Sequence, residues 1–175
     1  MSINIAEFRI QALTFKTLCP ALRIIRKNFA YLSPLQDCPY LYLITSLMPT
    51  FLAEIVLFFS PYSRDNYFVL INPYNKVVGT SGLYNLKNEE VTTCWLGWFC
   101  IDPTIRGHGL GRKLLIETIN IAKQQGCLKL KLYTSELPQE AKAQILYEKL
   151  GLKIVTKTKR RDGIMIYFRE KYIGD

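Results

Sequence analysis

Three glycines set two residues apart, Gly107, Gly109 and Gly111, follow Arg106 in the run TIRGHGLG. Before them lies WLGWFCIDP (95–103), apolar and aromatic and halted by Asp102-Pro103, the pattern of a buried strand that a proline ends. After them RKLLIETINIAKQQG (112–126) places Leu114, Leu115, Ile119 and Ala122 on one side and closes at Gly126, as an amphipathic helix does. Strand, glycine turn and helix start together form an anion site. The N–H groups of a first helical turn have no intrahelical acceptor and lie at the positive end of the helix dipole. Glycine lets a ligand approach the backbone, since no Cβ intervenes. A phosphate or pyrophosphate is the ligand this arrangement suits.

The two commonest nucleotide signatures are absent. GxGxxG read from Gly107 would need glycine where Arg112 stands, and no acidic residue follows about 20 positions on to hold a ribose. GxxxxGK[ST] does not occur. The five cysteines, Cys19, Cys38, Cys94, Cys100 and Cys127, form no CxxC pair, and His108 is the one histidine, so a structural zinc site lacks ligands and no metal is expected. An odd cysteine count with no signal-peptide pattern favours reduced thiols and a cytoplasmic location.

Charge is unevenly spread. The net charge is +9, and residues 104–175 hold fifteen Lys/Arg against seven Asp/Glu, so the half with the glycine loop is the basic half. That suits a polyanionic cofactor or an acidic partner, with a solvated basic face as the plain alternative. With 175 residues and 49% hydrophobic composition, the chain is read as one ordered domain, 1–175. Residues 38–59 are strongly apolar, but Pro49 and Glu54 interrupt them, and a spanning helix wants about 20 residues free of such breaks. One or two buried helices are expected there, with no membrane partner, and their apolar character also suits a hydrophobic pocket or a homodimer surface.

The remaining elements follow from periodicity. A strand is expected within 3–15 and a helix from near Thr17, with Pro20 in its first turn. Pro61 to Asn66 reads as a turn-rich break. YFVLI (67–71) and VVGTSGLYNL (77–86) read as a hairpin around NPYNK, followed by the strand at 93–101. KLKLYT (129–134) alternates as a half-buried strand. Residues 138–150 read as a helix with proline at its start and Gly151 past its end. The closing segments KIVTKTK and GIMIYFRE form a hairpin around Arg161, Asp162 and Gly163.

Two motifs in order raise the specificity of this reading. Arg106 to Gly111 fits [RQ]-x-x-G-x-[GA], and Ala143, Tyr147 and Gly151 recur four apart in AKAQILYEKLGL, with a strand between the two motifs. Here the chain resembles the GNAT superfamily of acyl-CoA-dependent N-acetyltransferases, firmly over residues 67–155, with residues 1–60 as the acceptor-side helices. The resemblance implies a mixed α/β fold: a mostly antiparallel sheet of about seven strands flanked by about four helices, with splayed central strands. It implies acetyl-CoA as co-substrate. The backbone of Arg106, Gly107, His108, Gly109, Leu110, Gly111 and Arg112 would bind its pyrophosphate, and Phe99, Cys100 and Ile101 would pair with its pantetheine arm. Tyr147 matches the tyrosine that protonates the departing thiolate, and a small-molecule or peptide amine would be the acceptor.

The chemistry is sound on its own terms. A backbone N–H in the 99–101 strand can stabilise an oxyanion, and a phenol of pKa near 10 stays protonated at neutral pH and can donate to a thiolate. The sequence departs from the family pattern twice: Glu140 stands where an asparagine often precedes the tyrosine, and the strand TCWLGWFCI carries no acid to serve as base. Glu54, Glu89, Glu90, Asp102 and the surroundings of Tyr147 are the remaining sources of one. A coenzyme A-binding module without turnover is therefore an alternative, as is acetylation of a protein amine or an RNA-linked amine. The plain readings are a backbone role for His108, a packed thiol for Cys100, core packing for Tyr84, Trp95, Trp98 and Tyr147, and a solvated hairpin tip for Lys157 to Arg161.

Overall fold

The structure is a computed structural model that describes residues 4–30, 39–58 and 60–174. Strand β1 (Arg9–Ala12) is followed by helix α1 (Phe15–Asn28) and two short helices, α2 (Pro39–Thr45) and α3 (Thr50–Val56). A meander β2 (Tyr62–Ile71), β3 (Val77–Leu86) and β4 (Thr93–Ile101) leads into helix α4 (Leu110–Gln124). Then come β5 (Lys129–Ser135), helix α5 (Ala141–Lys149), and the hairpin β6 (Lys153–Lys159) and β7 (Met165–Tyr172). The seven strands form one sheet in the order β1-β2-β3-β4-β5-β7-β6. Every pairing is antiparallel except β4 with β5, because α4 carries the chain back to start β5 beside β4 in the same direction.

The run YFVLI in β2 explains the layers. Alternation sends Tyr67, Val69 and Ile71 to the face covered by α1, where they meet Leu18, Leu22 and Ile25. Phe68 and Leu70 point to the opposite face, covered by α4 and α5. A strand buried on both faces reads as a continuous apolar run for this reason.

Several expectations need correction. The segment read as a break, Pro61 to Asn66, is mostly strand: β2 begins at Tyr62 and pairs with Leu86 through Leu83 of β3. Its polar residues are held by the ladder, which overrides their weak strand preference. Helix α1 starts two residues earlier than expected, because Thr14 and Thr17 form a reciprocal capping box, and this moves Pro20 into the second turn. The proline leaves the carbonyl of exposed Lys16 without a helical donor. Residues 138–140 are a 3-10 turn ahead of α5. Among the described residues the apolar stretch divides at Pro49 into the two short helices α2 and α3. Nor is that stretch uniformly buried: Leu43 and Leu57 are, but Phe51, Ile55 and Phe58 stand exposed. Its ends, 38 and 59, lie outside the described residues, among which no helix is long and apolar enough to cross a membrane.

Candidate active site

The two parallel strands separate early. β4 and β5 share only the pairs Thr93↔Lys129, Cys94↔Leu130 and Trp95↔Lys131. Beyond Trp95 the β5-facing edge of β4 has no strand partner among the described residues, so its backbone N–H and C=O groups are open to an extended arm. A cavity of about 630 Å³ lies in this split. A bulge sharpens it. Thr80 pairs with Cys100 and Gly82 with Gly97, so the lone Ser81 of β3 opposes both Trp98 and Phe99. Trp98 takes φ +43°, a left-handed conformation that a bulky residue adopts only under tertiary constraint, and Thr80 Oγ1 donates to its carbonyl at 2.7 Å.

The glycine loop closes one end of the cavity. Asp102 caps the turn after β4 by accepting from the N–H and hydroxyl of Thr104, and Lys27 at the end of α1 pairs with it at 3.3 Å. Partial burial pushes the Asp102 carboxyl upward, but the Thr104 bonds and the Lys27 ammonium outweigh this and hold it below the usual carboxylate range. Arg106 donates from Nε to the carbonyl of Ile101 and from its guanidinium to Asn28 Oδ1. The arginine thus pins the loop to α1 and β4. Gly107 and Gly109 take φ +88° and +77°, which no other residue adopts as cheaply. Gly109 is the N-cap of α4 and supplies no capping side chain, so among the described residues no side-chain cap hydrogen-bonds to the first-turn N–H groups there. Gly107, Gly109, Leu110, Gly111, Arg106 and Arg112 all line the cavity, whereas His108 is exposed and is not among the lining residues.

The cavity wall also carries Tyr147. The residue is 5% exposed, lines the cavity, and its ring lies 5.9 Å from that of Phe99. Its position follows from how α5 ends. The N–H of Leu152 donates to the carbonyl of Tyr147 and that of Gly151 to Glu148, with Gly151 at φ +81°. This is a Schellman motif, and it accounts for the four-residue spacing from Tyr147 to Gly151. The structure therefore brings the two sequence motifs, and the Phe99–Ile101 segment, to one cavity.

Acids are scarce here. Among the described residues lining the cavity only Glu140 is acidic, and its carboxylate already accepts from the N–H and hydroxyl of Ser135 at 2.9 and 2.6 Å. Glu89 accepts from Trp95 Nε1 and Lys131, outside the cavity. Glu54 and Glu90 are exposed, and Asp102 is committed to its cap. Cys100 lines the cavity, but burial pushes its thiol up to about 12, with Thr80 and the Arg106 charge pulling the other way, which disfavours the thiolate a nucleophile needs. Tyr84 and Trp98 line the cavity too. Trp95 does not; it is packed and hydrogen-bonded to Glu89.

Sequence reasoning missed several lining residues: Lys27 and Asn28 at the end of α1, Tyr42, Tyr62 and Tyr67, and Thr134 and Ser135 at the end of β5. Only the last pair carried a signal, as the polar end of an alternating strand that stops just before Glu140.

A sheet split after three parallel pairs, with a helix start that lacks a side-chain cap and a buried phenol both lining the cleft, is the architecture of acyl-CoA-dependent acyltransferases of one fold. The structure of yncA from Salmonella typhimurium with its cofactor acetyl-CoA superposes with a TM-score of 0.69 at 15% identity, over 95% of this chain and 94% of that one. The acetyltransferase (GNAT) family model matches residues 31–152, and the chain belongs to that family. Among curated relatives it is 37% identical over 62 residues to the glucosamine 6-phosphate N-acetyltransferase of Trypanosoma brucei brucei, covering 35% of this chain and 39% of that protein. It is 34% identical over 91 residues to the N-acetyltransferase YjgM of Escherichia coli, covering 51% and 53% respectively. The chain thus spans about two fifths to one half of the curated relatives it matches.

Proposed function

We propose that the protein transfers an acetyl group from acetyl-CoA to a primary amine by direct attack, with Tyr147 as general acid. The observation that carries this reading is the convergence of the uncapped start of α4 and the buried Tyr147 on one cavity. The N–H groups of Gly107 to Arg112 suit a pyrophosphate, helped by the helix dipole. The open β4 edge at Phe99, Cys100 and Ile101 suits the pantetheine arm, and a backbone N–H there suits the oxyanion. The amine nitrogen bonds to the thioester carbon, the C–S bond breaks, and the phenolic proton of Tyr147 passes to sulfur. The proton lost by the amine returns the phenolate to its starting state through water. Because Glu140 is tied to Ser135, the amine enters neutral from solution. Phe29, Tyr42, Tyr62 and Tyr84 form much of the remaining wall, which favours an acceptor with an apolar body.

Calorimetric titration with acetyl-CoA tests the first part, and absence of binding at millimolar ligand defeats it. Tyr147→Phe should then lower kcat by about 100-fold or more, the usual range for a general acid, with little change in acetyl-CoA affinity. Equal turnover by the variant removes the general-acid role.

The scarcity of cavity acids favours one other reading, a coenzyme A-binding module without turnover. Tight binding together with no thiol release across a panel of aryl and alkyl amines would establish it in place of the enzyme.

A further inference from the structure

Two buried side-chain polar atoms have no hydrogen-bond partner among the described residues: Arg169 Nε and Thr134 Oγ1. The first belongs to a guanidinium whose other nitrogens already serve Leu152, Gln144 and Glu148. Thr134 has no such explanation. It is 4% exposed and lines the cavity three residues past the last β4–β5 pair. Strand alternation puts it on the face of Leu130 and Leu132, which pack in one cluster with Tyr147. Its neighbour Ser135 gives its hydroxyl to Glu140, and Gln144 takes the Ser135 carbonyl, so the polar groups beside Thr134 are already matched to one another. A hydroxyl buried without a partner is costly, and each such group in a folded protein calls for an account of what satisfies it.

We propose that Thr134 is a second hydroxyl acting on the departing sulfur, its Oγ–H donating a hydrogen bond as the C–S bond breaks. This rests on the reading of the cavity as an acetyl-CoA site. Thr134 does not give up its proton, since an aliphatic alcohol is a far weaker acid than a thiol. The electron pair of the broken bond stays on sulfur, the proton comes from Tyr147, and Thr134 lowers the charge that sulfur must bear in the transition state. The bond strengthens as charge develops, so its contribution falls on turnover more than on binding.

The test compares Thr134→Val, an isosteric change, with Thr134→Ser. Thr134→Val should lower kcat about 10- to 100-fold, the worth of one hydrogen bond to a charged atom, with acetyl-CoA affinity within about twofold of wild type. Thr134→Ser should recover most of the loss. A second readout is the thiol of bound coenzyme A, titrated by the ultraviolet absorbance of its thiolate. That thiol should ionise at higher pH in Thr134→Val than in wild type, a change that loosened packing does not produce. Unchanged kcat in Thr134→Val overturns the proposal. So does an affinity loss that accounts for the whole defect, which would make Thr134 a contact to the pantetheine arm in the ground state. If wild type neither binds nor consumes acetyl-CoA, the proposed function fails first. If wild type turns over and only the Thr134 variants disagree, this inference alone fails.

Discussion

Tyr67, Gly82 and Gly97 lie in one row across β2, β3 and β4, and the tyrosine ring covers both glycines. A Cβ on Gly82 would fall within 2.8 Å of three Tyr67 ring atoms, a separation real contacts do not allow. A Cβ on Gly97 would meet the Tyr67 hydroxyl and the Tyr84 ring at 3.1 Å, which a shift of a few tenths of an ångström relieves. Gly82→Ala must therefore expel a ring that is 5% exposed, whereas Gly97→Ala only displaces it. Overpacking of this kind costs about 1–3 kcal/mol, and for a chain of this size each kcal/mol lowers Tm by about 2–4 °C. Gly82→Ala should thus lower Tm by several degrees, and Gly97→Ala by less. The decisive measurement is the double-mutant cycle by urea unfolding with Tyr67→Ala. With the ring gone, Gly82→Ala should turn neutral or stabilising by about 0.5 kcal/mol, since alanine orders a strand more cheaply than glycine. A Gly82→Ala cost below about 0.5 kcal/mol, or the same cost in both backgrounds, would refute the reasoning.

Two further outcomes are expected. Asp102 is held below the usual carboxylate range, so its charge stabilises the fold above the unfolded-state pKa of about 3.9, and that contribution is lost as pH falls through the lower folded value. Asp102→Asn should therefore lower the urea midpoint at pH 7, with the gap to wild type closing in stronger acid; a gap independent of pH would show that the carboxylate charge contributes nothing. Cys19 is exposed while Cys94 and Cys100 are buried with thiols pushed up, chiefly by burial, so alkylation of the native protein at pH 8 followed by peptide mass spectrometry should mark Cys19 well before the other two. Rapid labelling of Cys100 would restore it as a candidate nucleophile.

The legible part of the site was local. Gly107, Gly109 and Gly111 announce a turn because positive φ is a property of the single residue, and β3 and β4 were bounded correctly because their apolar runs end at turn residues. The illegible part was supplied by distant chain. Lys27 and Asn28 reach the loop only because α1 ends against it, and nothing in their own neighbourhood marks them. Tyr62 sits in a strand that its own neighbours argue against and that β3 imposes. The aromatic wall of Tyr42, Tyr62 and Tyr84 joins residues far apart in the chain.

By itself the sequence determined the kinds of element and the two motifs that mark the family, since each rests on spacing within a turn or two of backbone. It also placed Tyr147 one helical turn before the glycine that ends its helix. Only the tertiary structure decided that β4 and β5 part after Trp95, because strand pairing is a contact between segments and no local pattern encodes its extent. That split makes the cavity, sets the bulge at Trp98 on its rim, and leaves the Thr134 hydroxyl buried in its wall with no hydrogen-bond partner among the described residues. Which acids stay outside the cavity was likewise settled in three dimensions, because Glu89 and Asp102 take partners brought from β5 and α1.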